Sequence, residues 1–143
     1  MALAPTTWRY DAGYRLTGEN SSAGLATFVY DNAGNTTLKW QAGSSPMTFV
    51  YDAANRITTM QQGTTRTTYT FDANGNMTVE NAGTGAVTSY AYDDENRLTN
   101  IQFAGAAPST FTYDGDGKRR SAFPSGGTLS SMVWDGEDYL GEA

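Results

Sequence analysis

The octapeptide Tyr51-Asp52-Ala53-Ala54-Asn55-Arg56-Ile57-Thr58 decides how the chain is read, because it returns in close variants on both sides. Phe71-Asp72-Ala73-Asn74-Gly75-Asn76-Met77-Thr78 and Tyr92-Asp93-Asp94-Glu95-Asn96-Arg97-Leu98-Thr99 share its order: an aromatic, an aspartate, a short polar stretch, then an apolar residue and a threonine. Working outward, the aromatic-Asp pair occurs seven times, at Tyr10-Asp11, Tyr30-Asp31, Tyr51-Asp52, Phe71-Asp72, Tyr92-Asp93, Tyr113-Asp114 and Trp134-Asp135, with spacings of 20 or 21 residues. Two residues before each of these aromatics stands Trp8, Phe28, Phe49, Tyr69, Tyr90, Phe111 or Met132. The two columns hold 13 of the 18 aromatic residues, so the rings follow a register. A fixed period of this length is the mark of a repeat architecture.

Local chemistry then assigns each part of the unit. Aromatic-x-aromatic is the period-2 signature of a strand with both rings on one face. The residues between them (Val29, Val50, Thr70, Ala91, Thr112, Val133) are small or β-branched, as strands prefer. Three residues after the Asp comes Gly or Asn in the four central units, where a tight loop takes positive φ. The Asp carboxylate can accept backbone N–H bonds from the residues that follow, as in an Asx-turn. A second strand opens with an apolar-Thr pair, such as Leu16-Thr17 or Ile57-Thr58. It runs to a glycine-rich far turn, such as Ala42-Gly43-Ser44-Ser45 or Ser125-Gly126-Gly127. Each unit is one hairpin, so the fold class is all-β: tandem antiparallel β-hairpin repeats, seven of 20–21 residues with about fourteen strands, in a spiral or rolled sheet. The reading is a single repeat array over residues 1–143. Units two and four carry Gly-Asn in the turn and units three and five Asn-Arg, which predicts two alternating kinds of rung.

Bulk properties narrow the function. Apolar residues are 38% and charged residues 17%, with 16 Gly, yet aromatics reach 13%, which argues against disorder. With a net charge of −6, nucleic acid is excluded as an expected partner, since its binding needs a positive field. Histidine and cysteine are both absent, which removes Ser-His-Asp and Cys-His catalysis, disulfides and thiolate zinc sites. No apolar run approaches a membrane span, so no membrane insertion is expected. The N-terminal residues lack the basic and apolar regions of a signal peptide, so the expectation is a cytosolic chain or a piece of a larger exported protein.

The repeated octamers resemble the YD, or RHS, repeat, over residues 8 to about 140. The family includes bacterial RHS and Tc toxin-complex components and animal teneurins. There, many such repeats form one long sheet that spirals into a hollow shell, in many members around a C-terminal toxin, with an aspartate-dependent self-cleaving core in bacterial members. YD repeats have also been linked to carbohydrate binding and cell–cell contact. The resemblance implies a secreted or cell-surface parent, toxin-associated in the bacterial case. Units six and seven depart from the pattern: Asp114-Gly115-Asp116-Gly117-Lys118-Arg119-Arg120 lacks the apolar-Thr start, and no core or toxin sequence follows Trp134-Asp135. Self-cleavage and cargo activity are therefore not carried over.

The seven aspartates could be read as metal or catalytic carboxylates, but an active site does not recur seven times, and turn closure explains all of them. No catalytic, cofactor-binding or metal-binding residue is expected, and no cofactor. The aromatic ladder is expected as packing. Trp40 and Tyr14 lie outside both columns and are the candidates for ligand contact. The leading function is a non-catalytic scaffold like a segment of a YD-repeat shell, serving enclosure or surface contact. Its partners would be other YD repeats or another copy of the chain. A carbohydrate-binding module using aromatic stacking is the alternative. A third reading, a glycosidase-like enzyme, would need an acidic pair that breaks the repeat, such as Glu80 or Glu19 near a turn Asp.

Overall fold

The computed structural model describes residues 5–142, and every regular element in them is a strand. The chain divides into two units, with the division between Thr68 and Tyr69. The first contains β1 (Thr7–Tyr10), β2 (Leu16–Ser21), β3 (Gly24–Tyr30), β4 (Thr36–Gln41), β5 (Met47–Tyr51) and β6 (Ile57–Gln62). The strand β7 (Thr65–Phe71) has residues in both. The second contains β8 (Met77–Asn81), β9 (Val87–Tyr92), β10 (Leu98–Phe103), β11 (Ser109–Tyr113), β12 (Arg119–Phe123), β13 (Ser130–Asp135) and β14 (Asp138–Glu142). Hydrogen-bonded order is chain order throughout the 14-stranded antiparallel sheet. Consecutive hairpins on this spacing have no other pairing that keeps every connection short.

Within a hairpin the register slips by one residue at the same place, beside the aromatic of the Tyr-Asp pair. Val29 pairs with Leu38 and Tyr30 with Thr36, which leaves Thr37 unpaired. Val50 and Tyr51 pair with Thr59 and Ile57, which leaves Thr58. Arg9/Tyr10 and Tyr92/Ala91 skip Thr17 and Thr99 in the same way. The threonine of the apolar-Thr signature is thus the residue of a β-bulge. Its hydroxyl has a use there: Thr37, Thr58 and Thr99 each donate from Oγ1 to the carbonyl of Val29, Val50 or Ala91, at 3.3, 3.3 and 3.1 Å.

The pleat separates the faces as the two columns require. Phe28, Tyr30, Phe49 and Tyr51 are half-buried, while Val29 and Val50 between them are 46% and 56% exposed. In the second unit Tyr90, Tyr92, Phe111 and Tyr113 are half-buried and Ala91 and Thr112 exposed. The ladder was expected to be a packed core, and here the structure corrects the sequence. Among the described residues Met132 is the only apolar side chain in the buried class, and no side chain is fully buried. A single-layer sheet shields its rings sideways, hairpin against hairpin, so each gains only part of the roughly 1.5–3 kcal/mol that full burial supplies.

Candidate functional site

The turn that follows each aromatic-Asp pair is the most elaborate polar structure in the chain. In the first unit Asp11 donates its backbone N–H to the Arg15 carbonyl, and Tyr14 donates to the Asp11 carbonyl, both at 3.0 Å. The Asp11 carboxylate then fills the loop: Oδ1 accepts from the amides of Gly13 and Arg15 at 2.9 and 3.0 Å, and Oδ2 from Arg15 Nε at 2.7 Å. Asp52 and Asp93 repeat this with Arg56 and Arg97. Asp31 and Asp72 accept instead from Asn35 and Asn76, through the amide to Oδ1 and through Nδ2 to Oδ2. Asp114 accepts from the amides of Asp116 and Lys118. Each of these aspartates is a loop plug.

The electrostatics follow from those donors. The backbone N–H and guanidinium of Arg15 hold Asp11 below its ordinary pKa of 3.8, and those of Arg56 do the same for Asp52. The side-chain amides of Asn35 and Asn76, with backbone donors behind them, lower Asp31 and Asp72. Burial pushes Asp93 upward, but the backbone N–H and guanidinium of Arg97 outweigh it. Carboxylates lowered this way stay ionised as acceptors and have no proton to give near neutrality.

The same turns tie hairpin to hairpin. Arg15 Nη1 donates to the Asp31 carbonyl at 3.1 Å, and its guanidinium lies 4.8 Å from the centre of the Tyr30 ring. Arg97 repeats both contacts with Asp114 and Tyr113. From the asparagine turns the link is neutral: Asn35 and Asn76 donate from Nδ2 to Oδ1 of Asn55 and Asn96, at 2.8 and 2.7 Å. A third link runs from the aromatics. Tyr30, Tyr51, Tyr92 and Tyr113 donate from Oη to the carbonyls of Leu16, Thr36, Met77 and Leu98, at 2.8–3.0 Å, and Trp134 Nε1 donates to Arg119. Each acceptor belongs to the hairpin before the donor's. This is why the column holds Tyr so often: a ring for the face and a hydroxyl for the preceding bulge.

The seventh repeat departs from this plan, contrary to the expectation that its aspartate fills the same turn position. Asp135 pairs directly with Asp138 across a two-residue loop, Gly136-Glu137, and its side chain is exposed. The shorter loop leaves no run of amides for a carboxylate to plug. Lys118 of the preceding turn reaches over it, donating to the Gly136 carbonyl and pairing with Glu137 at 3.0 Å.

The two ligand-contact candidates outside the columns, Tyr14 and Trp40, do not converge. Tyr14 is 90% exposed on the first Asp turn, at the end of the hairpin opposite the far turn. Trp40 is half-buried near the end of β4 and donates from Nε1 to the Ser44 carbonyl of that far turn. Of the two carboxylates that break the repeat, Glu19 lies on β2, opposite Trp8 and Ala26. Glu80 lies on β8 and accepts from Tyr90 Oη at 3.4 Å; burial and then the Glu80 charge raise the hydroxyls of Tyr69 and Tyr90 above their usual 10.0. Among the described residues no three Asp or Glu side chains gather as a metal site would require. A concavity of about 810 Å³ on the last hairpins is lined by Tyr113, Lys118, Arg119, Met132, Trp134 and Tyr139. The bulge threonines and the links between hairpins were missed by sequence reasoning, although the Arg/Asn alternation after the Asp was their visible trace.

Comparison with known proteins agrees with this geometry. The TcdB2-TccC3-Cdc42 crystal structure superposes with a TM-score of 0.74 at 18% identity, over 91% of this chain and 8% of that one. TcdB2-TccC3 without its hypervariable C-terminal region gives 0.72 at 18% identity, over the same 91% and 8%. The Photorhabdus luminescens Tc holotoxin pore gives 0.70 at 18% identity, again over 91% and 8%. The chain thus spans less than a tenth of the length of the structures it matches, and at this identity the likeness is one of fold. No curated protein sequence matches it. The sequence profile of the Teneurin YD-shell covers residues 7–130. With repeat, bulge and plugged turn all accounted for, the chain belongs to the teneurin YD-shell family.

Proposed function

We propose that this chain is a length of shell wall: a non-catalytic scaffold whose work is to continue a sheet, for enclosure or surface contact, within a secreted or cell-surface parent protein. The observation that carries the proposal is the ring-to-carbonyl link, in which the aromatic of one hairpin is bonded to the bulge of the hairpin before it. Such a link spends the chain's most distinctive side chains on neighbouring repeats, and so do the plugged turns, whose carboxylates are held as acceptors. Partners of the wall would be further YD repeats. Glycan binding draws no comparable support, since Tyr14 and Trp40 stand at opposite ends of their hairpins.

Native-state hydrogen exchange tests this. A wall element shows graded protection, with slow amides through β3–β6 and β9–β12 and fast ones at β1 and β14. A glycoside-hydrolysing activity abolished by Glu80→Gln, or protection confined to one cluster of strands, would overturn the reading.

A further inference from the structure

The repeat is broken three times at one place on its ring face. The first aromatic column holds Trp8, Phe28, Phe49, Phe111 and Met132, and only its other two members, Tyr69 and Tyr90, bear a hydroxyl. Between them in the chain, eight residues after its repeat aspartate, stands Glu80. The same position holds Met60, Ile101 and Ala122 in other repeats, each directly opposite a column residue: Phe49, Tyr90 and Phe111. In the first two repeats it holds Glu19 and Lys39, opposite Trp8 and Phe28, which have no hydroxyl to offer. Hairpins of this wall therefore form without a carboxylate among phenols. Places where a local rule is broken with no gain in packing are where function is to be sought.

Neighbouring strands β7, β8 and β9 bring the three groups together, all half-buried. Tyr90 Oη donates to Glu80 Oε2 at 3.4 Å, and the Glu80 charge is felt at both hydroxyls, which burial first and then that charge raise above 10.0. The phenols thus stay neutral and keep oxygen lone pairs to offer. Glu80 has no ion pair among the described residues, although Asp11, Asp52 and Asp93 each pair with an arginine. A half-buried carboxylate without a cation carries a desolvation cost that the fold does not offset. Beside these oxygens the face turns apolar: Thr88, opposite Glu80, stands opposite the 39% exposed Phe103 on its other side, and Ile101 lies opposite Tyr90.

We propose that Glu80, Tyr69 and Tyr90 form a binding site for a primary ammonium carried on an apolar stem. The carboxylate supplies the countercharge, and its oxygen with the two phenol oxygens matches the three N–H donors of such a head. The ring faces attract a cation as well, and Phe103 and Ile101 take the stem. A calcium ion fits less well, because one carboxylate and two neutral phenols fall short of the roughly six to eight oxygens it takes. The head group is common to free amines and to lysine side chains. The site goes beyond the shell-wall reading and does not depend on it.

Titration with butylammonium chloride at constant ionic strength, followed by backbone amide chemical shifts, tests the site. Saturable shifts centred on β7–β9 are expected, and butanol, which has the stem without the charge, gives none there. Glu80→Gln weakens binding about tenfold or more, the loss of one charge-assisted hydrogen bond. Tyr69→Phe and Tyr90→Phe each weaken it about fivefold. Glu19→Gln removes a ring-face carboxylate opposite Trp8 and leaves binding unchanged. N-acetyl-lysine methylamide separates the sources: tighter binding than butylammonium assigns the site to a side chain of a polypeptide, and weaker binding to a free amine. Undiminished binding by Glu80→Gln, an equal loss in Glu19→Gln, or equal shifts with butanol overturns the proposal. So does calcium bound more tightly than the amine, or the lack of any saturable shift, and none of these outcomes disturbs the exchange pattern that tests the wall.

Discussion

The arginine-closed turns (Asp11–Arg15, Asp52–Arg56, Asp93–Arg97) and the asparagine-closed turns (Asp31–Asn35, Asp72–Asn76) hold one backbone path by two chemistries. In both, the carboxylate Oδ1 takes the amide four residues on. In both, the residue three after the Asp has positive φ. Here they part: the asparagine turns place Gly34 and Gly75 there, at φ 92° and 94°, and the arginine turns place Tyr14, Asn55 and Asn96, at 60°, 59° and 62°. The non-glycine residue is the receiving end of a link, because Asn55 and Asn96 accept from the asparagine turn before them. The difference teaches that alternation is a way of joining unlike neighbours: a cation reaches forward from one rung, and an amide reaches forward from the next.

The largest break in both kinds at once is acid. Asp11, Asp31, Asp52, Asp72 and Asp93 all have folded-state pKa values below 3.8. A lowered carboxylate contributes stability that is complete above its unfolded pKa and is lost as pH falls through its folded value. The urea midpoint should therefore be flat from neutrality to about pH 5, then fall steadily below 3.8. A midpoint that starts falling near pH 6 would mean these groups are not the ones that matter.

Next in size is Gly34→Val. An added Cβ meets nothing within 4 Å, so the cost is confined to the backbone. Holding a β-branched residue at this φ costs on the order of 1–3 kcal/mol. Asn55→Gly, at the matching place in the arginine turn, costs less, since it removes one exposed acceptor and relieves φ. Denaturant melts of the two variants give the ranking directly; equal losses would erase the distinction between the turns. Smaller again is Tyr92→Phe, which keeps the ring and orphans the Met77 carbonyl, for about 0.5–1.5 kcal/mol by the same melts.

How much of this was legible in the residues differs by level. Period, strand count and turn positions could be read because aromatic-x-aromatic-Asp is dense, in phase and has one physical meaning. The two kinds of rung were visible in Gly-Asn against Asn-Arg. What they do was not, because a link between residues 20 apart leaves no local signature. Thr58 and Thr99 sat in the quoted motif without their bulge, since a register slip depends on the partner strand. Burial was overestimated because composition shows how many rings there are and not how many layers cover them. Asp135 misled by keeping the dipeptide while losing the loop.

The smallest effect bears on Tyr14, the one residue of the arginine-type turns that is neither Gly nor Asn at positive φ. Its backbone sits at φ 60° and its ring is 90% exposed, so it bears the strain of the left-handed region with little packing in return. Asparagine tolerates that region better, because its short side chain bonds locally. Tyr14→Asn should therefore stabilise the chain by up to about 1 kcal/mol, raising the thermal midpoint by a few degrees. The change also makes the first turn like those at Asp52 and Asp93, with an exposed Oδ1 ready for an amide from a preceding rung. A loss of stability instead would mean that the Tyr14 ring packs on its own turn in solution, and that the first arginine turn is built differently from the other two.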